Sequence, residues 1–124
     1  MLKMLFLLIG SIILGCNAHS METWSTRDIM LELTYVTAAT IDWAQTRDIA
    51  SERRPGIYET NIILGKKPDK ATVNKYFLVT TLGHVALAGA LTNPFRNWLQ
   101  YAGIGVELCC IRKNVALGIR MDFK

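Results

Sequence analysis

The chain has 124 residues, 51% of them hydrophobic and 19% charged, with a formal net charge of +4. This length supports one small domain rather than two. Lys66, Lys67, Lys70 and Lys75, with Arg53 and Arg54, are interleaved with Asp48, Glu52, Glu59 and Asp69. The field is therefore mixed, without the one-signed basic face and stacking aromatics of a nucleic-acid groove, and no nucleic-acid partner is expected.

The chain opens with Lys3, an uncharged apolar run over residues 4–14, and Gly15-Cys16. A positive start, an apolar core of roughly 7–15 residues and a small residue at the cut define an export signal. The order Ile12-Ile13-Leu14-Gly15-Cys16 fits a lipoprotein box. It predicts a signal peptide over residues 1–15, lipid on Cys16, and a single small envelope domain over residues 16–124. Ala18 offers a conventional cleavage site instead. An uncleaved anchor is the third option, although residues 4–14 fall short of the roughly 20 needed to span a bilayer. The expected location is the bacterial cell envelope, lipid-anchored in the periplasm. Asn17 in place of Asp after the cysteine leans the sorting toward the outer membrane rather than the inner.

After a polar link over residues 17–25, Thr26-Arg27-Asp28 opens a helix predicted to run to about Ser51, with Ser25 or Thr26 as cap and Pro55-Gly56 beyond its end. On a helical wheel Leu31, Tyr35, Ala38, Ala39 and Ile49 share a stripe with Asp42, Gln45 and Thr46, so a carboxylate sits among apolar residues. Residues 52–70, with Pro55, Gly56, Gly65 and Pro68, read as a structured connection. Asp69 caps a second predicted helix from Lys70 to about Leu91. In it His84 shares a side with Val73, Phe77, Leu87, Ala88 and Leu91, while Gly83, Ala86 and Ala90 form a small-residue ridge. Asn93-Pro94 starts a short third helix through Trp98. Beyond it Ile104, Val106, Leu108 and Cys110 alternate with other residues, Lys113-Asn114 supplies a turn, and Val115, Leu117, Ile119, Met121 and Phe123 alternate again. Period two on both sides of a polar turn predicts a hairpin; a third helix running through Cys110 is the alternative, weakened by its glycines and by the later alternation. The expected fold is thus α+β: two long packed helices, a short third helix and a C-terminal β-hairpin.

Adjacent Cys109 and Cys110 read as small packing residues, because neighbours on a strand point to opposite faces and a bond between them would be strained. No four ligands stand at zinc spacing, so neither metal nor cofactor is expected. Residues 76–91 carry no fixed charge and reach about 24 Å at 1.5 Å per residue, short of a hydrocarbon thickness of roughly 30 Å. Two crossings would nonetheless leave the basic connection in the cytoplasm, in keeping with the positive-inside rule. A lipid-tethered domain is preferred, with a two-span membrane protein as the alternative.

The candidate polar cluster comprises Asp42, Gln45, Thr46, Glu59, Asn61, His84 and Glu107. A buried Asp42–His84 pair could orient an imidazole as a base, but mutual hydrogen bonding in a structural role is the stronger expectation, and no residue is assigned as catalytic. The expected role is structural or partner-binding at the membrane, with lipid on Cys16 and an envelope protein as partners. A small ligand-binding protein or enzyme using the Asp/Glu/His cluster is the alternative.

The motifs Asp42-Trp43-x-Gln45-Thr46-x-Asp48-Ile49-Ala50 and Glu59-Thr60-Asn61-x-x-Leu64-Gly65-x-x-Pro68 are followed by Val73-Asn74-x-Tyr76-Phe77, Gly83-His84, Trp98-x-Gln100-Tyr101, Ile104-Gly105-Val106-Glu107, Gly118-Ile119-Arg120 and Phe123. This order resembles an uncharacterised family of small exported proteobacterial and phage proteins over nearly all of residues 16–124. Ile62 departs from the family's usual Pro after the Asn. The resemblance implies export and a phage-related context; the family brings no activity with it.

Overall fold

A computed structural model describes residues 23–51 and 55–124. The export signal, Cys16 and the cleavage alternatives lie outside the described residues. Among the described residues three helices follow in order: α1 Thr26–Ile49, α2 Lys70–Ala90 and α3 Phe95–Ala116. α1 is the central element, packed most extensively on α3 and less so on α2. The chain runs up, down and up, so that α1 and α3 are parallel: Asp28 meets Arg96 at one end and Asp42 meets Asn114 near the other.

Each start has a local cause. Ser25 and Asp28 form a reciprocal capping box at α1, which satisfies helix-end donors that the first turn leaves unpaired. Asp69 accepts from the Thr72 amide at 2.8 Å at the start of α2. Two apolar clusters pin the helices. Tyr35, Val36, Ala39 and Val85 pack with Leu82 and Ile104 in the middle; Leu64, Val73 and Phe77 pack with Trp43, Ala50 and Tyr76 at the basic end.

The expected C-terminal hairpin and short third helix are overturned. The described residues contain no strand, and the fold is all-helical rather than α+β. The helix that opens at Phe95 continues through the whole of the first expected strand. Alternation misled because the inward face of α3 is polar. Arg96, Gln100, Gly103, Glu107 and Asn114 lie at steps of four, three, four and seven, which is a helical seam. Between them Val106 and Leu108 face outward, while Ile104 packs against the middle cluster. The second expected strand is a helix ending and a tail. Gly118, at φ +70°, ends α3, with its amide on the Val115 carbonyl at 2.9 Å and the Ile119 amide on Asn114 at 3.0 Å. That pair of bonds is a Schellman ending, which needs a left-handed residue and so favours glycine. The tail then lies on α1, with the Asp122 amide on the Ala44 carbonyl at 2.9 Å and the Arg120 amide on the Asp48 carboxylate at 3.0 Å. Cys109 is exposed, Cys110 is half-buried, and both are free thiols.

Polarity is reversed relative to an ordinary bundle. Asp28, Glu32, Arg96 and Gln100 are at most 2% exposed, whereas Leu33, Val79, Leu87, Trp98, Val106 and Leu108 are each between 43% and 75% exposed. Averaged around its full circumference, no helix among the described residues is long and apolar enough to cross a membrane.

Candidate functional site: a polar seam inside the bundle

The seam begins at the capped start of α1. Asp28 Oδ2 accepts from the Ser25 amide and hydroxyl, both at 2.9 Å, and from Arg96 Nη1 at 3.2 Å. Arg96 Nε donates to the Ala88 carbonyl at 3.0 Å. It thereby satisfies one of the last acceptors of α2, which the helix itself cannot pair. The guanidinium also lies 5.2 Å over the Trp24 ring. Asn97, with its amide oriented to satisfy its neighbours, donates to the other Asp28 oxygen at 2.9 Å.

One turn further, Gln100 Nε2 donates to the Asp28 carbonyl and to Glu32 Oε2, each at 2.9 Å. The second oxygen of Glu32 faces His84 Nδ1 at 3.0 Å, and His84 Nε2 faces the Leu99 carbonyl at 3.4 Å. The imidazole is stacked on Tyr35, with ring centroids 3.6 Å apart and planes 18° from parallel. Gly103 makes this approach possible: a Cβ there would lie 2.7 Å from His84 Nε2 and 2.9 Å from Tyr35 Cδ2.

The expected Asp42–His84 pair is not the one formed. Glu32, ten positions and about 15 Å before Asp42 along α1, holds the imidazole instead. Asp42 accepts from Asn114 Nδ2 at 2.8 Å, and Gln45 Oε1 accepts from the same amide at 3.2 Å. Thr46 is buried beside them. Glu107 joins the two halves, lying within electrostatic reach of both His84 and Asp42. Asp42, Gln45, Thr46, Glu107 and His84 therefore lie along one interior seam, with His84 held at its far half.

Glu59 and Asn61 serve the connection. Glu59 Oε1 accepts from the amides of Thr60 and Asn61 at 2.7 and 2.8 Å, and Asn61 Oδ1 accepts from Ile63 at 3.0 Å. These self-caps let Gly65 turn at φ +74° and place Leu64 against Val73 and Phe77. The base of α1 is fastened by Arg47. Its Nη1 and the Trp43 indole both donate to Asn74 Oδ1, at 2.7 and 2.9 Å, and its remaining nitrogens reach the carbonyls of Asp122 and Lys124.

Lys70 Nζ meets Asp122 Oδ2 at 2.5 Å. That bond, with the Lys124 amide, pulls the Asp122 carboxyl down to about 2, against the smaller opposing effect of burial. A carboxyl lowered in the folded state contributes stability above its unfolded value near 3.8, and the contribution is lost as pH falls through the folded value. Tail docking is therefore expected to loosen between about pH 4 and about pH 2, read as faster amide exchange over residues 119–124. Lys70→Gln is expected to move that loosening toward pH 4. An unmoved midpoint would remove Lys70 as its cause.

Asp28, Glu32, Arg96, Gln100 and Asn114 were not placed in the candidate polar cluster from the sequence. Their signal was the four-three spacing of polar residues on α1 and α3, visible only once residues 95–116 are treated as one helix. Among the described residues, no group of three His, Cys, Asp or Glu side chains is arranged to hold a metal ion. No family model, curated protein or solved structure matches the chain, and no function is carried over from a relative.

Proposed function

We propose that this is a lipid-anchored protein of the cell envelope, acting by association at the membrane rather than by turnover. The observation that carries the reading is the reversed polarity. Asp28 is spent on Arg96 and Glu32 on His84 inside the bundle, and the outer surfaces of the helices are apolar over several turns. Exposed apolar area of this extent marks a surface made for lipid or protein contact. A catalytic or ligand-binding reading draws less support, since His84 is committed to Glu32 and Tyr35 and Asp42 to Asn114.

Cys16 supplies the anchor. Wild type is expected to incorporate labelled palmitate and sediment with membranes, and Cys16→Ser is expected to lose the label. Location is a poor readout for that variant, because blocked processing would leave the apolar signal in place. Wild type recovered unlabelled in the soluble periplasmic fraction would overturn the reading.

A further inference from the structure

We infer that the bundle does more than hang from its lipid: α1, α2 and α3 are immersed together in the cytoplasmic membrane, with acyl chains against their apolar waist and the basic end in the cytoplasm. This rests on the envelope reading above. The waist is defined by where exposed charge stops. On α1 none is exposed over residues 29–46, on α2 none over residues 76–90, and on α3 none over residues 95–111. At 1.5 Å per residue these stretches measure about 27, 22 and 25 Å. They fall about 3 to 8 Å short of a hydrocarbon core of roughly 30 Å. Exposed Arg27, Lys75 and Arg112 flank the stretches, and long basic side chains reach past such a mismatch to the interface.

The averaging that denies each helix a crossing mixes two unlike faces. In lipid, polar side chains turn toward the bundle interior and pair there, and only the outer face needs to be apolar. Asp28–Arg96 and Glu32–His84 are such pairs. The exposed threonine hydroxyls of the waist are also satisfied without water. Thr34 and Thr37 bond the carbonyls of Met30 and Leu33 at 2.8 and 2.7 Å, and Thr80 bonds that of Tyr76 at 2.9 Å. Hydrocarbon penalises every unpaired polar group, and these bonds remove that penalty.

Both ends carry the marks of an interface. Exposed Phe95 and Trp98 lie at one end, and exposed Tyr58 and Phe123 at the other, as expected of aromatic rings at headgroup level. Lys66, Lys67, Lys75, Arg112, Lys113 and Arg120 are all exposed at the second end, which the positive-inside rule assigns to the cytoplasm. The other end holds the start of α1, and lipid on Cys16 would fix that end at the periplasmic face. Two independent considerations thus give one orientation. It selects the cytoplasmic membrane over the outer membrane toward which Asn17 leans.

The test is thiol accessibility in the full chain. Leu87→Cys and Val106→Cys on the waist, Thr92→Cys in the α2–α3 turn and Lys66→Cys in the connection are each placed in a Cys109→Ala, Cys110→Ala background. A membrane-impermeant maleimide is applied to spheroplasts, then after permeabilisation, then in denaturant. Thr92→Cys is expected to label at once, Lys66→Cys only after permeabilisation, and the two waist positions at least tenfold more slowly until denaturant is added. Waist positions that label as fast as Thr92→Cys would show a wet surface. Lys66→Cys labelling in spheroplasts would place that end outside. Either result overturns immersion while leaving the envelope reading intact if wild type still takes up palmitate; an unlabelled, soluble wild type removes the envelope reading itself.

Discussion

Arg96→Ala is expected to destabilise the bundle by about 3–5 kcal/mol, the cost of breaking a buried ion pair by removing one partner. The side chain is fully buried and serves Asp28, the Ala88 carbonyl and the Trp24 ring together. Alanine would leave a carboxylate without its cation and a helix-end carbonyl without its donor. Equilibrium unfolding in mild detergent, followed by helical circular dichroism, measures the loss. Arg112→Ala, at an exposed position of the same helix, should stay within about 0.5 kcal/mol of wild type. Adding Asp28→Asn to Arg96→Ala keeps an acceptor for Ser25 while removing the stranded charge, and should recover part of the loss. Equal stability of Arg96→Ala and Arg112→Ala would show that the pair holds nothing together.

Gly103→Ala and Gly105→Ala, two residues apart on α3, should shift stability in opposite directions. In a helix interior alanine is favoured over glycine by up to about 1 kcal/mol. At Gly105 nothing lies within 4 Å of the added carbon, so that gain is realised. At Gly103 the carbon would meet His84 Nε2 at 2.7 Å and the Tyr35 ring at 2.9 Å. Both rings are held from other sides, the imidazole by Glu32 and the phenol ring by the α1–α2 core. Overpacking of this kind costs about 1–3 kcal/mol and outweighs the propensity gain. The same unfolding measurement reads both variants, and a stabilised Gly103→Ala would mean that the stacked pair is free to move.

The two long helices were legible because their punctuation is local: Ser25 with Asp28, Asp69 with Thr72, and the glycines and prolines between them. Asp42 and His84 stood out because each interrupts an apolar stripe. α3 was legible as a helix only as the alternative to the hairpin. Pattern reading assumes that apolar residues face inward, and here Arg96, Gln100, Glu107 and Asn114 do so while Val106 and Leu108 face outward. With the inner face discounted as polar, the remaining apolar residues mimic the period of a strand. The same assumption chose the wrong carboxylate for His84. Glu32 lies one turn beyond the capping Asp28, and no motif singles it out. Segments carrying the motif resemblance do meet in space, Trp43 with Asn74 and Asp48 with the Arg120 amide, contacts that no spacing rule could foresee.

The parallel pairing of α1 with α3 also sets an order of assembly. Asp28 and Glu32 leave the ribosome 68 residues ahead of Arg96 and Gln100, the groups that complete their hydrogen bonding. α2 arrives between them and brings His84 to Glu32, yet it leaves Asp28 without a cation. The first of the described helices to be made is thus the last to become secure, and its commitment waits on the last of them. A chain interrupted before Phe95 would retain two long helices but none of the bonds that Arg96 and Gln100 make to Asp28 and Glu32.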